Sequence, residues 1–339
     1  MLVYLRERRD VMTVWIGIML SAVFTGVIWW AGQRLHSIAL LPDAGAQWYL
    51  WQLPQPTFWS RATAWGLYTL HQVALWGVIY YAQTHVKRYA AGLHPVNYVA
   101  LGLNALFIVL HFVQTHVWYD GLAQDVSIFS SQGSVIVLLV WVLFMENQRR
   151  GLFWGKRLPI KTVLIDWARR YHGYVFAWAA VYTFWYHPME TTGGHLIGFF
   201  YMFLLMIQGS LFFTRVHVNR WWMVAQEGLV LVHATLVAWV QRGATGFWPM
   251  FFFGFLTMFI FTQMHGLGLG RRVRWGLFAA YVASIALVYR WRGWDKLNEV
   301  VRIPVIEYLA VLILALVVGL IVWGGRRFKR PQSLVQREG

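Results

Sequence analysis

Ten apolar stretches, eight of them within the about 17 to 25 residues that span a bilayer and all separated by short polar breaks, exclude a soluble fold for this 339-residue chain. A backbone that crosses hydrocarbon must satisfy its own hydrogen bonds, so the expected fold class is all-α: a polytopic transmembrane helical bundle of about 10 spans. The stretches are 11–31, 62–82, 96–117, 132–146, 171–188, 195–214, 221–240, 247–267, 275–290 and 304–324. Those at 132–146, 171–188 and 275–290 are short, and extend into flanking Trp, Tyr and Arg whose amphipathic side chains settle at the interface. With 59% apolar and only 12% charged residues, few side chains remain to carry chemistry.

A net charge of +16 raises the question of nucleic acid, and the placement of the 29 Lys and Arg answers it. Arg6, Arg8 and Arg9 precede the first span, and Lys87 and Arg88 follow the second. The loop 147–170 is richest, with Arg149, Arg150, Lys156, Arg157, Lys161, Arg169 and Arg170. Arg215, Arg220, Arg271, Arg272, Arg274 and the tail Arg326, Arg327, Lys329, Arg330 and Arg337 continue the pattern. Set against alternating spans, 22 of the 29 fall on one side, which makes that side, with both termini, cytoplasmic. A basic membrane face attracts anionic headgroups, so membrane lipids are the expected contact and no nucleic acid is expected. The arginines before a span without a small-residue cleavage site read as a retained anchor. The expected location is the bacterial cell inner membrane, multi-pass. Cysteine is absent, which excludes disulfides, iron–sulfur clusters and thiolate-held metals.

Residues 1–339 read as a single integral membrane domain, with one possible subdivision at the basic loop 147–170. The longest outer loop, 32–61, carries Trp48, Tyr49, Trp51, Trp59 and Pro42, Pro54 and Pro56. It is expected to fold back onto the outer interface, as an aromatic anchor or as a cap over a cavity. Duplicated halves of the transporter kind are not visible beyond the echo of Gln83-Thr-His85-Val in Gln114-Thr-His116-Val.

Ionisable side chains at membrane depth are costly and are therefore site candidates. His71, His111 and His233 each lie about six to nine residues from the outer boundary, one layer at about 1.5 Å per residue. They are the candidate metal ligands. His85, His94, His172, His217 and His265 gather near the cytoplasmic boundary, and His116, His187 and His195 near the outer one. His172 and His187 lie fifteen apart and His71 and His85 fourteen apart, each pair about 60° or less out of register on its helix. Two histidines on one helix, separated by most of the membrane, can hold two stacked haems. This spacing resembles that of transmembrane b-type cytochromes, and the resemblance is confined to it: His217 and His233 fall off a common face. It implies haem b, with His71, His111, His233, His172, His187 and His265 as cofactor-binding candidates.

Asn104 lies seven residues before His111, and Gln226 seven before His233. Each amide can fix an imidazole tautomer beside a metal, or make an interhelical hydrogen bond with no cofactor at all. Glu227 is the carboxylate placed nearest a bilayer midplane, a candidate catalytic or ion-coupling group. Phosphate loops, H-E-x-x-H and G-x-S-x-G motifs are missing from the sequence. Three readings follow. The first is an integral membrane electron-transfer or oxidoreductase subunit holding haem b or another His-ligated metal, fed by a quinol or another membrane subunit. The second is a secondary transporter or channel using Glu227, with breaks at Gly193-Gly194 and 266–270. The third is a non-catalytic scaffold subunit of a membrane complex.

Overall fold

Among the described residues ten helices of 14 residues or more follow one another, each overlaying one of the apolar stretches. The computed structural model describes residues 8–42, 44 and 51–328, apart from the side chains of 241, 242 and 326–328. We label the helices α1 (Arg9–Ala31), α2 (Phe58–His85), α3 (Pro95–Trp118), α4 (Ile128–Arg150), α5 (Thr162–Tyr186), α6 (Gly193–Ser210), α7 (Arg220–Arg242), α8 (Trp248–Phe261), α9 (Arg271–Arg292) and α10 (Glu299–Phe328). Among the described residues six, namely α1, α3, α4, α6, α7 and α10, are long and apolar enough to cross a membrane. The all-α bundle is thus observed. Trp48 and Tyr49 of the outer loop, Arg6, and Lys329, Arg330 and Arg337 of the tail lie outside the described residues.

Helix starts are written in the sequence. Thr57 Oγ1 accepts the Ser60 amide at α2, Thr192 Oγ1 accepts the His195 amide at α6, and Asn219 Oδ1 accepts the Trp221 and Trp222 amides at α7. Each removes an orphan donor of a first turn. At α3, Pro95 stands just inside the helix, where its missing N–H is no loss, and the Asn97 side chain accepts from the His94 amide.

The chain divides into two compact units: Met1–Val137 with Gly173–Phe252, and Leu138–His172 with Phe253–Gly339. In the first, α2 packs along α3, and α6 packs against α1, α3 and α7. Val181, Phe184, Trp185, Phe199 and Ile28 are fully enclosed there. In a bilayer, where the surroundings are as apolar as a protein interior, helices packed in this way are held by close van der Waals fit and polar contacts rather than by exclusion of water. One such contact anchors the start of α1: buried Asp10 accepts the Val11 and Val216 amides, each at 2.9 Å, and pairs with Arg8. The outer loop folds back, as Gln52 Nε2 donates to the Ala123 carbonyl at 2.6 Å and Leu53 N to Gln124 Oε1 at 2.8 Å.

In the second unit, the basic loop closes on itself where Asn147 and Leu158 exchange two hydrogen bonds of 3.0 and 2.9 Å. Gly151, at φ 73°, takes the left-handed conformation that ends α4 and returns its N–H to the Asn147 carbonyl. Arg292 grips Glu299 with two hydrogen bonds of 2.7 and 2.9 Å, joining the end of α9 to the start of α10. Along α10, Val305, Leu309, Leu312, Leu316 and Leu320 are about half exposed or more, an apolar surface suited to acyl chains.

Candidate functional site in the first unit

Asn97, Asn104 and His111 stand at seven-residue intervals on one buried face of α3, and each reaches a different neighbour. Asn97 Nδ2 donates to the Ser210 and Phe212 carbonyls at 2.8 and 2.9 Å, satisfying the exposed end of α6. Asn104 Nδ2 donates to Ser210 Oγ at 2.8 Å, and Asn104 Oδ1 accepts from His71 Nε2 at 2.8 Å. On the other side of that ring, Trp185 Nε1 donates to His71 Nδ1 at 3.2 Å. An indole can only donate, so the ring is held as the Nε2–H tautomer with its second nitrogen accepting. Phe107 stacks on it at 4.4 Å between centroids, with the planes 4° apart. One chain of hydrogen bonds therefore clamps α2, α3, α5 and α6 around His71.

His111 sits one layer further out, against Trp185 and Phe184, with ring centroids 4.3 and 4.9 Å away. Its Nε2–H donates to the His187 carbonyl at 3.0 Å, and Nδ1 lies 3.1 Å from the Gln114 amide oxygen. A neutral imidazole cannot donate to both oxygens. Turning over the Gln114 amide, whose NH2 has no other partner, presents a donor to Nδ1 and satisfies both groups.

The carbonyl that holds His111 belongs to the short connection between α5 and α6, where the imidazoles converge. The His187 and His195 rings meet edge to face with centroids 4.7 Å apart, and Phe199 lies 5.2 Å from His187. Thr192 Oγ1, 2.7 Å from His195 Nδ1, orients that ring, and Trp51 of the outer loop covers it at 4.4 Å. His233 of α7 reaches α6, the helix that carries His195. It packs on Gly198 of α6 so closely that a Cβ there would stand 2.9 Å from its Nε2. Gly121 serves the same end, since a Cβ on it would meet the Tyr186 carbonyl at 2.7 Å and His187 Cα at 2.9 Å.

The sequence-expected residues thus part company. His111, His187 and His233 come together in the first unit, joined by His195, while His71 belongs to the clamp. His172 and His265 belong to the second unit. There the His172 Nδ1 lies 2.5 Å from the Arg169 carbonyl of its own helix, and Arg274 Nη1 lies 3.3 Å from His265 Nδ1. Among the described residues no group of three or more His, Asp or Glu is arranged to hold a metal ion, so neither His71, His111 and His233 nor the imidazoles gathered around His187 form such a group. Asn104 does bind an imidazole, that of His71 rather than of His111. Neither amide atom of buried Gln226 has a hydrogen-bond partner, so it does not orient His233. Glu227 is partly buried on α7 within electrostatic reach of Tyr201 of α6.

Sequence reasoning missed Glu190. It is 5% exposed, accepts a hydrogen bond from Tyr119 OH, and lies in the same connection as His187. Its signal was there to read: a carboxylate in six residues between two apolar stretches, flanked by His187 and His195. The outer rim also holds Asp120, buried and bound by Arg61 at 2.7 Å. Comparison with protein-family models, curated proteins and solved structures finds no match to this chain.

Proposed function

We propose that the chain is a multi-pass protein of the bacterial inner membrane, with ten spans and both termini on the cytoplasmic side. In this reading it is an electron-transfer or oxidoreductase subunit that holds haem b or another His-ligated group in the outer part of the first unit. The observation that carries it is the meeting of His187 with His195, backed by His111 and His233, within an aromatic wall of Phe184, Trp185 and Phe199. Imidazole is the commonest ligand of haem iron and a common one of copper and zinc. A dry aromatic surround tunes the potential of such a centre. Rings whose centroids are 4.7 Å apart cannot clasp a porphyrin between them, so in this reading His187 and His195 would share a metal ion, or one of them would ligate haem from one side. His71, with both ring nitrogens engaged, positions the helices. Electrons arrive from a lipid-soluble quinol or from another membrane subunit.

Absorption spectra of the detergent-purified chain, oxidised and reduced, with metal analysis of the same sample, test the proposal. A Soret band or stoichiometric metal that disappears in His187→Leu and His195→Leu is the expected result. A pure, folded sample without either overturns it.

A second reading, a secondary transporter or channel using Glu227, draws on one observation. The Gln226 side chain is enclosed, and both its amide atoms lack partners, which is costly unless a polar solute or water serves them. Solute flux in liposomes abolished by Glu227→Gln supports that reading, and unaffected flux removes it.

A further inference from the structure

The second unit carries a groove of about 590 Å³ lined by Pro159 and Lys161 of the basic loop, Leu164 of α5, and Leu316, Gly319 and Trp323 of α10. Its size falls within the range of small-molecule sites, about 300 to 1,000 Å³. The floor at Gly319 is roomy: a Cβ at that position would meet only Leu164 Cδ1, at 3.9 Å. The walls are almost wholly apolar. Lys161 supplies the one charged side chain among the lining residues, and it is exposed at the end of the loop.

The occupant follows from the way polarity changes along the groove. One wall is α10, whose Leu316 and Trp323 are 64% and 56% exposed, so it is a surface for hydrocarbon and not for water. The other end is basic in sequence: Lys156, Arg157 and Lys161 are exposed in the loop, and Arg170 is exposed in the first turns of α5, where Arg169 pairs with Asp166. Trp323, an amphipathic ring, marks the level where chains give way to headgroups. A ligand that suits both ends has a long apolar tail and a negative head. We propose that this groove binds one anionic glycerophospholipid of the leaflet facing the basic loop, with an acyl chain against α10 and its phosphate at Lys161.

The test uses the full-length chain, stripped of lipid in detergent and titrated with phosphatidylglycerol or with phosphatidylcholine of the same acyl chains, the bound lipid being counted by native mass spectrometry. Phosphatidylglycerol is expected to bind at least about fivefold more tightly, and Lys161→Ala to lower its affinity by about fivefold, as loss of one basic group at a membrane surface implies. Leu316→Trp, at an exposed position where added bulk leaves the bundle undisturbed, fills the groove and is expected to abolish this binding with the loop charge intact. Equal affinity for the two lipids, or unchanged phosphatidylglycerol binding by either variant, overturns the assignment and leaves only a general lipid annulus.

Discussion

Replacing His71 by Leu separates a clamp from a cofactor ligand. The substitution keeps roughly the same volume and removes both polar contacts, leaving Asn104 Oδ1 and Trp185 Nε1 enclosed without their partner. In water-soluble proteins two such orphans would cost about 2 to 6 kcal/mol. Within a membrane the separated helices also find partners, and interhelical hydrogen bonds average about 0.6 kcal/mol with a maximum near 1.7. Two bonds therefore set the expected loss at about 1 to 3 kcal/mol, with partial loss of the Phe107 stack included. Reversible unfolding in mixed micelles measures it. The sharper assay is the double-mutant cycle with Asn104→Leu, since once one partner is gone the other has less to lose. A coupling of about 0.6 to 1.7 kcal/mol is expected. Additivity within about 0.3 to 0.5 kcal/mol, the scatter of independent sites, would refute the clamp. His71→Leu is also expected to leave any Soret band in place, and its loss would return His71 to the ligands.

Four more outcomes follow from contacts already described. Gly121→Ala forces a Cβ against the Tyr186 carbonyl and His187 Cα, both backbone, so a loss of about 1 to 3 kcal/mol is expected, read by thermal unfolding in detergent; an unchanged midpoint contradicts the close approach. Gly198→Ala drives His233 off α6 and is expected to alter the spectrum or metal content of the outer cluster if His233 belongs to it. Asp10→Asn keeps the shape but weakens the charged acceptor of two amides and Arg8, for an expected loss of about 1 to 3 kcal/mol in the same unfolding assay. Tyr119→Phe removes the donor to buried Glu190 and should lower the unfolding midpoint.

Helix existence was legible because hydropathy reports burial in lipid directly; helix ends were not, because polar contacts set them. The stretch 195–214 overruns α6, which stops at Ser210 since the Asn97 amide takes the Ser210 and Phe212 carbonyls. At the other extreme, α5 starts at Thr162, nine residues ahead of the apolar stretch, because its first turns carry Asp166, Arg169 and Arg170 and are helical without being apolar. Similarly α10 begins at Glu299 and runs through Pro304, secured by the Arg292–Glu299 pair. The candidate site divides along the same line. Seven-residue spacing identified Asn104 and His111 as sharing a face, but spacing on one helix does not say which neighbour a face meets, and Asn104 meets His71. The approach of His195 to His187 depends on the turn through 188–192, where no periodicity exists to be read. Helical spacing therefore pairs His187 with His172 and gives no sign of its contact with His195.

The composition of the His71 clamp bears on how a polar contact can sit inside an apolar bundle without carrying protons. An imidazole in hydrocarbon is a natural stepping stone for protons, yet this one is bracketed by an indole and a carboxamide, neither of which readily takes up a proton and passes it on. Adhesion between four helices is thereby obtained from an imidazole whose two immediate partners do not relay a proton onward.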